Sequence, residues 1–460
     1  MIHRTSTPRM SKVALALGML LTIPIAACNV DKLLNVTDPD IINPSDLRSP
    51  AGAEAERVGA LARLNQATSG AESFFLYGGL MGDEWRSGDT FIERNQTDQR
   101  NVATNNANIN TAVRILNRSR VSAYEAHEAL KKYAPDAPKW EIGEMYVVEA
   151  YSETMLAENL CNGIPLSYVL EGVPTYGKPL TTTQVYQLAL AHYDTALTLA
   201  NGTTANDLSV QYKAKVGRAR VLLNLARFPE ALAATAGVPA TFTWQMEHAQ
   251  TTRDNIIWSL NISGRRYTVA ESEGPLGANY QTAKDPRVPT CKGATPGCPA
   301  TNSKVFDAGA PWALWAQKIW PTRGSPVTIA SGVEARLIRA EALMQANNLT
   351  YLDTLNALRT EFNATLDTAA TPLPLLTDPG TAAGRVNQLF RERAFWLFST
   401  GHRLPDMRRL LRAPYSRTQD QVFPTGAYPK GGNYGTDVNF PMPQAEENNP
   451  NFHGCLDRNA

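Results

Sequence analysis

Four pairs of alanine-rich amphipathic segments, spread along one chain, limit the folds open to it. Lys139–Leu160 and Thr181–Ala200 make one pair. Val185, Ala189, Tyr193, Ala196 and Ala200 recur at helical spacing and share one face. Val210–Leu225 with Pro229–Thr235 makes the next. Gly332–Ala346 with Leu349–Asn363 makes the third, with Ala335, Ala340 and Ala342 as small contacts. The opening stretch supplies the fourth, Ala51–Gln66 and Ile109–Tyr133. A helical hairpin alone buries only one face, so neighbours must stack to make a core. The fold class this predicts is mainly α: stacked helical hairpins in an α-α superhelix, bearing long irregular loops. At 460 residues the chain also exceeds the ~250–300 that one compact core serves.

Between the hairpins the helical period disappears. Phe74–Val102 reads as irregular and polar-aromatic. Gly237–Thr328 lacks helical periodicity and holds five of the eight tryptophans. A structureless run of that length inside a folded chain is functional or forms its own subdomain. Aromatic faces with polar rims suit the C–H faces of sugars or peptide side chains. The ligand-facing candidates are Trp85, Arg86, Trp312, Trp315 and Trp320.

Charge is balanced, with 44 basic against 43 acidic residues, so no basic field for nucleic acid is present. The six histidines are scattered without His-Glu-x-x-His or another metal spacing, and neither metal nor cofactor is expected. The sequence has no Gly-x-Ser-x-Gly elbow, P-loop or dinucleotide fingerprint. Asp83, Glu84, Asp89 and Glu93 are the carboxylates beside an aromatic loop, and they carry the one hydrolase alternative. The expectation is a binding protein, not an enzyme.

The amino terminus reads as an export signal. His3, Arg4, Arg9 and Lys12 precede the apolar run Val13–Ile25, about 13 residues against the ~20 needed to span a bilayer. Ile25-Ala26-Ala27-Cys28 resembles a bacterial lipobox, which implies removal of residues 1–27 and acylation of Cys28. An export signal places Cys161, Cys291, Cys298 and Cys455 in an oxidising compartment. Cys291 and Cys298 flank the loop KGATPG, leaving Cys161 and Cys455 as the other pair, although three pairings are formally open. Zinc on four cysteines is the alternative, and no Cys-x-x-Cys spacing favours it.

Near the carboxyl end, Arg385–Arg412 predicts two short helices: Val386, Leu389, Phe390, Ala394, Leu397 and Phe398 on one face, Gly401 as a stop, and Pro405 in the second helix's first turn. Glu392, Arg393, Arg403, Asp406 and Arg408 are the candidates for an arginine–carboxylate network that locks the two together. The alternative is a solvated face.

Residues 219–232, ARVLLNLARFPEAL, resemble a tetratricopeptide repeat, with Ala219 and Ala226 small and Phe228 and Ala231 in register. RERAFWLFSTGHRLPDMRRL (391–410) resembles the C-terminal motif of the SusD/RagB family through Glu392, Arg393, Gly401, Arg403, Asp406, Arg408 and Arg409. Thr400 stands where that family often has Glu. EMYVVEAYSETMLAENLCNGIPLS (144–167), DPR (285–287), EARLIRAEAL (334–343) and FPMPQAEENNPNF (440–452) are similar too. The resemblance implies an outer-membrane lipoprotein, surface-exposed, that binds an oligomeric nutrient, oligosaccharide rather than peptide. It also implies a TonB-dependent transporter as partner. A repeat adaptor of the envelope without a nutrient is the other reading. The organisation expected is a signal (1–27), then one SusD/RagB-like domain (28–460). That domain divides into an N-terminal part (28–138), a helical scaffold (139–236 and 332–412), a loop subdomain (237–331) and a tail (413–460).

Overall fold

Side-chain caps set where several of the helices begin. A computed structural model describes residues 48–170, 173–368 and 370–460; the signal segment and Cys28 lie outside them. Helix α1 (Pro50–Thr68) starts where the Ser49 hydroxyl accepts from the Gly52 amide at 3.1 Å, with Pro50 in the first turn. The long α4 (Ala107–Tyr133) starts at Asn106, whose side chain accepts from Ile109. α5 (Lys139–Asn159) follows. Capping boxes then open α6 (Thr182–Leu199), from Thr181 and Gln184, and α7 (Ala205–Asn224), from Thr204 and Asp207. The short α8 (Phe228–Ala234) completes that hairpin. α9 (Gly332–Gln345), capped by Ser331, pairs with α10 (Tyr351–Asn363). α11 (Ala382–Trp396) and α12 (Arg403–Leu411) end the helical order.

The helices lie against one another in chain sequence: α1 on α4, α4 on α5, α5 on α6, α6 on α7, α7 on α8, α8 on α9, α9 on α10. Four hairpins stack as the periodicity predicts. Close approach is built from small residues. A Cβ on Gly217 of α7 would meet the buried Tyr193 ring of α6 at 2.2 Å. Gly401 adopts φ +76°, and a Cβ there would stand 2.8 Å from the Phe75 ring. α12 begins at Arg403, so Pro405 sits in its first turn.

Phe74–Val102, read as irregular, is a correction. It holds α2 (Phe74–Met81, all eight residues buried), strand β1 (Trp85–Ser87) and α3 (Ile92–Asp98). A helix buried on every side shows no amphipathic period, which is why the pattern concealed it. Gly237–Thr328 is irregular apart from short elements. β2 (Thr243–Met246) pairs antiparallel with β6 (Val327–Ser331), β3 (Tyr267–Val269) with β1, and β4 (Thr290–Lys292) with β5 (Trp315–Gln317). The region has its own small core of Ile262, Ala300, Val305, Leu314 and Ala316.

Among the described residues there are two disulfides, Cys161–Cys455 and Cys291–Cys298. The first fastens the tail to the end of α5. There the Phe440 amide donates to Asn159 O and the Cys161 amide to Phe440 O, both at 2.8 Å.

Candidate functional site

β1 leads the chain from the helical core into the loop face. Its side chains alternate as a strand requires. Trp85 turns inward with 0% exposure: its ring lies 5.2 Å from Phe398, and its Nε1 donates to Ser399 Oγ at 2.9 Å. Trp85 is core, which corrects its reading as a ligand-facing residue. Arg86 turns the other way. Its guanidinium pairs with Glu273, donates to Glu271 O at 2.8 Å, and lies 5.5 Å from the centre of the Trp312 ring.

Gly88 is what lets the surrounding loops converge. Its amide donates to Arg266 O and its carbonyl accepts from the Asp307 amide, both at 2.8 Å. A Cβ on Gly88 would stand 2.7 Å from Arg265 O and from Val305, so the close approach requires glycine. Phe91, Phe306, Arg265 and Arg266 thereby gather in one patch. Phe91 is 53% and Phe306 41% exposed. The Arg266 guanidinium lies 3.4 Å from the Phe306 ring centre and 5.1 Å from that of Phe91. Lys430 closes the edge. It donates to Asp89 O at 2.6 Å, pairs with Asp307 at 2.9 Å, and lies 5.9 Å from the Trp312 ring.

The patch is held from below by buried charge. Asp89 accepts from the Thr90 and Phe91 amides and pairs with Arg94 and Arg266, so it fixes the loop that carries Phe91. Burial, with repulsion from Asp98, raises Glu273 to about 8. Burial raises Asp98 to about 6, against the Ser87 amide and Tyr428 hydroxyl that donate to it. Two exposed aromatic rings and a half-buried indole, edged by four cations, can bind a flat, hydroxyl-rich molecule.

The three remaining tryptophan candidates divide between the patch and the core. Trp312 is half-buried within the patch. Trp315, on β5, is half-buried and packs against the main core. Trp320 is 6% exposed, its amide donating to Gln317 Oε1 at 2.9 Å, and is corrected to core. Phe91 and Phe306 were missed because a search by tryptophan passes over phenylalanine; Gly88 beside Asp89 was the available signal.

Three of the carboxylates behind the hydrolase alternative, Asp83, Glu84 and Asp89, are held by partners within the fold. Asp83 pairs with Arg403 through two 2.6 Å contacts. Glu84 Oε1 accepts from the Ser399 amide at 2.8 Å, and burial raises its carboxyl from 4.5 to about 8. Glu93 lies half-buried in the first turn of α3. With its folded pKa raised, Glu84 contributes stability that is full below about pH 4.5 and lost as pH rises towards 8. Urea titrations across that range should show wild type losing up to ~1.4 kcal/mol per pH unit relative to Glu84→Gln. Parallel profiles for the two proteins would refute that assignment.

The Arg385–Arg412 segment forms the lock. Arg393 holds Asp406 at 2.7 and 2.9 Å, Arg409 holds both Asp406 and Glu341, and Glu392 receives Arg287 and Arg359. The Arg287 of DPR thus ties the loop region to α11. Arg408 is corrected. It makes no carboxylate pair among the described residues and donates to the carbonyls of Ala157 and Glu158 at the C-terminal end of α5. Burial lowers it to about 10. At the Thr400 position the Thr400 hydroxyl donates to Leu397 O, and His402 beside it pairs with Glu334 at 3.0 Å.

Neither a family model nor a curated protein sequence matches the chain. Solved structures do. A SusD superfamily protein from Parabacteroides distasonis aligns with TM-score 0.63 at 13% identity, over 88% of this chain and 98% of its own. A SusD-like protein from Bacteroides fragilis gives 0.62 at 11% identity, over 90% and 98%. The chain has the SusD fold. A SusD-like carbohydrate binding protein from Bacteroides vulgatus gives 0.60 at 13% identity, over 88% and 97%. In this SusD fold the stacked hairpins are the frame, and the aromatic–arginine patch stands on the loops between them.

Proposed function

We propose that this SusD-fold chain is a lipid-anchored outer-membrane receptor. It captures an oligomeric nutrient, a glycan rather than a peptide, and delivers it to a TonB-dependent transporter. The observation that carries this reading is the exposed pair Phe91 and Phe306 with the Arg266 guanidinium between them and Trp312 beside Arg86. Sugar C–H faces stack on such rings, and guanidinium and ammonium groups donate to hydroxyl or carboxylate oxygens at their edge. The lipobox at Cys28 supports the anchor. The carbohydrate-binding name of one structural relative supports the ligand class. Uptake driven by a separate barrel needs binding alone, so a site without catalytic groups suffices.

A soluble protein lacking residues 1–28, screened against glycan and peptide arrays, tests the ligand class. Phe306→Ala and Trp312→Ala are each expected to weaken binding about tenfold, ~1.4 kcal/mol, without loss of fold. Peptide binding through the same rings would retain the receptor and change its cargo. Binding that survives both substitutions would overturn the assigned site. Co-purification of the full chain with a β-barrel tests delivery.

One feature favours the adaptor reading. A groove of about 560 Å³ runs along α4 beside Pro165, Val169 and Pro443, away from the aromatic patch. Retention of a β-barrel partner by this face, with no glycan or peptide affinity in the arrays, would support it.

A further inference from the structure

Within the scaffold, three helices bring a second set of chemical groups together. Glu149 and Glu153 stand one turn apart on α5, which places both carboxylates on one face. His127 of α4 and His192 of α6 reach that face from the neighbouring helices. His192 Nδ1 lies 2.9 Å from Glu153 Oε2, and His127 Nε2 lies 3.1 Å from Glu149 Oε2. One oxygen of each carboxylate and a nitrogen of His192 all lie within 4.8 Å of one another.

Two features of this cluster are unsatisfied. Glu149 is 1% and Glu153 0% exposed, yet Oε1 of each has no hydrogen-bond partner among the described residues. Buried polar atoms without partners are rare, and two adjacent buried carboxylates repel one another. Arg120 is the nearby fixed cation, and its Nε and Nη1 also lack a hydrogen-bond partner among the described residues. It donates to the Ser167 carbonyl and lies 4.2 Å from the Tyr168 ring centre.

We propose that Glu149, Glu153 and His192 form a binding site for a divalent transition-metal cation, zinc being the fitting one. An imidazole nitrogen with two carboxylate oxygens is a donor set that zinc accepts, whereas calcium and magnesium take oxygen ligands. Their spacing exceeds what zinc bonds of ~2.0–2.2 Å require by an amount that small side-chain movements close. His127 does not enter the donor set: stacked on Tyr146 at 4.3 Å, it orients Glu149 by hydrogen bonding. The His192 side chain is 17% exposed, which opens a route for the ion from the α6 surface. A metal here would clamp α5 to α6 in the frame, apart from the aromatic patch.

Metal-stripped full-length chain titrated with Zn²⁺ tests the site. One ion per chain by calorimetry and elemental analysis is expected, with a rise in Tm. Glu153→Gln and His192→Ala should each weaken affinity about tenfold or more, whereas His248→Ala, on a different surface, should not. No retained zinc, or affinity unchanged in both site variants, would overturn the assignment. Should those variants fail to fold, anomalous diffraction from wild-type crystals soaked in zinc decides. A peak between the three side chains supports the site, and a peak elsewhere or none refutes it.

Discussion

Replacing Asp406 with alanine is expected to cost about 3–5 kcal/mol of stability, a large share of the ~5–15 that a folded domain has. Asp406 is 2% exposed and accepts from Arg393 and Arg409 together. Removing it leaves two guanidiniums in the interior between α9, α11 and α12 with half their neutralisation gone. Glu341 then faces both, at 3.7 Å from Arg393 and 2.9 Å from Arg409. The arginines around it hold the Asp406 carboxyl well below the usual carboxylate range. A depressed pKa gives stability that is present at neutral pH and lost in strong acid, so the deficit of the variant should shrink there. Asp378→Ala is the control. Its partner Arg385 is a surface residue, and water and salt screen that pair, so its loss should cost far less than that of Asp406. Chemical denaturation of the two variants measures the difference. Equal costs would show that the buried network does not lock the helices.

The second large effect is expected at the tail. Cys161 and Cys455 are 294 residues apart, whereas Cys291 and Cys298 are separated by 7. Loop-closure entropy grows with the logarithm of that length, so the long bridge should contribute roughly 3 kcal/mol more than the short one. The double substitution Cys161→Ser, Cys455→Ser is therefore expected to lower stability by about 2–5 kcal/mol. It should also expose residues 440–460 to protease, since the bridge and the Phe440 backbone bonds hold that segment on α5. The pair Cys291→Ser, Cys298→Ser should loosen only its own loop. Equal loss of stability from both double variants would contradict the chain-length account.

Much of the frame was legible in the residues. Wherever a helix is half exposed, as α4, α6 and α7 are, its apolar period marks its face, although α7 begins at Ala205, five residues before the expected Val210. α2 was not legible, because a segment buried all round carries no period. The site divides the same way. Arg86 and Trp312 were identified and lie together; Trp85 and Trp320 were identified and lie inside. An indole has the same composition in a core as on a surface, and only the alternation of β1 decided which way residue 85 turned. The arginines of α11 and α12 were read as one network, but Arg408 caps a different helix. Which partner a guanidinium takes depends on helices distant in sequence.

By itself, then, the order of amino acids determined the helical hairpins, the cysteine count and the residue types available for recognition. These follow from local periodicity and chemistry, which need no knowledge of neighbours. The tertiary structure alone decided which aromatics meet solvent, which carboxylates are consumed by arginines, and that Glu149, Glu153 and His192 share one interior point. Such meetings are set by the packing of segments tens to hundreds of residues apart, and no local pattern records them.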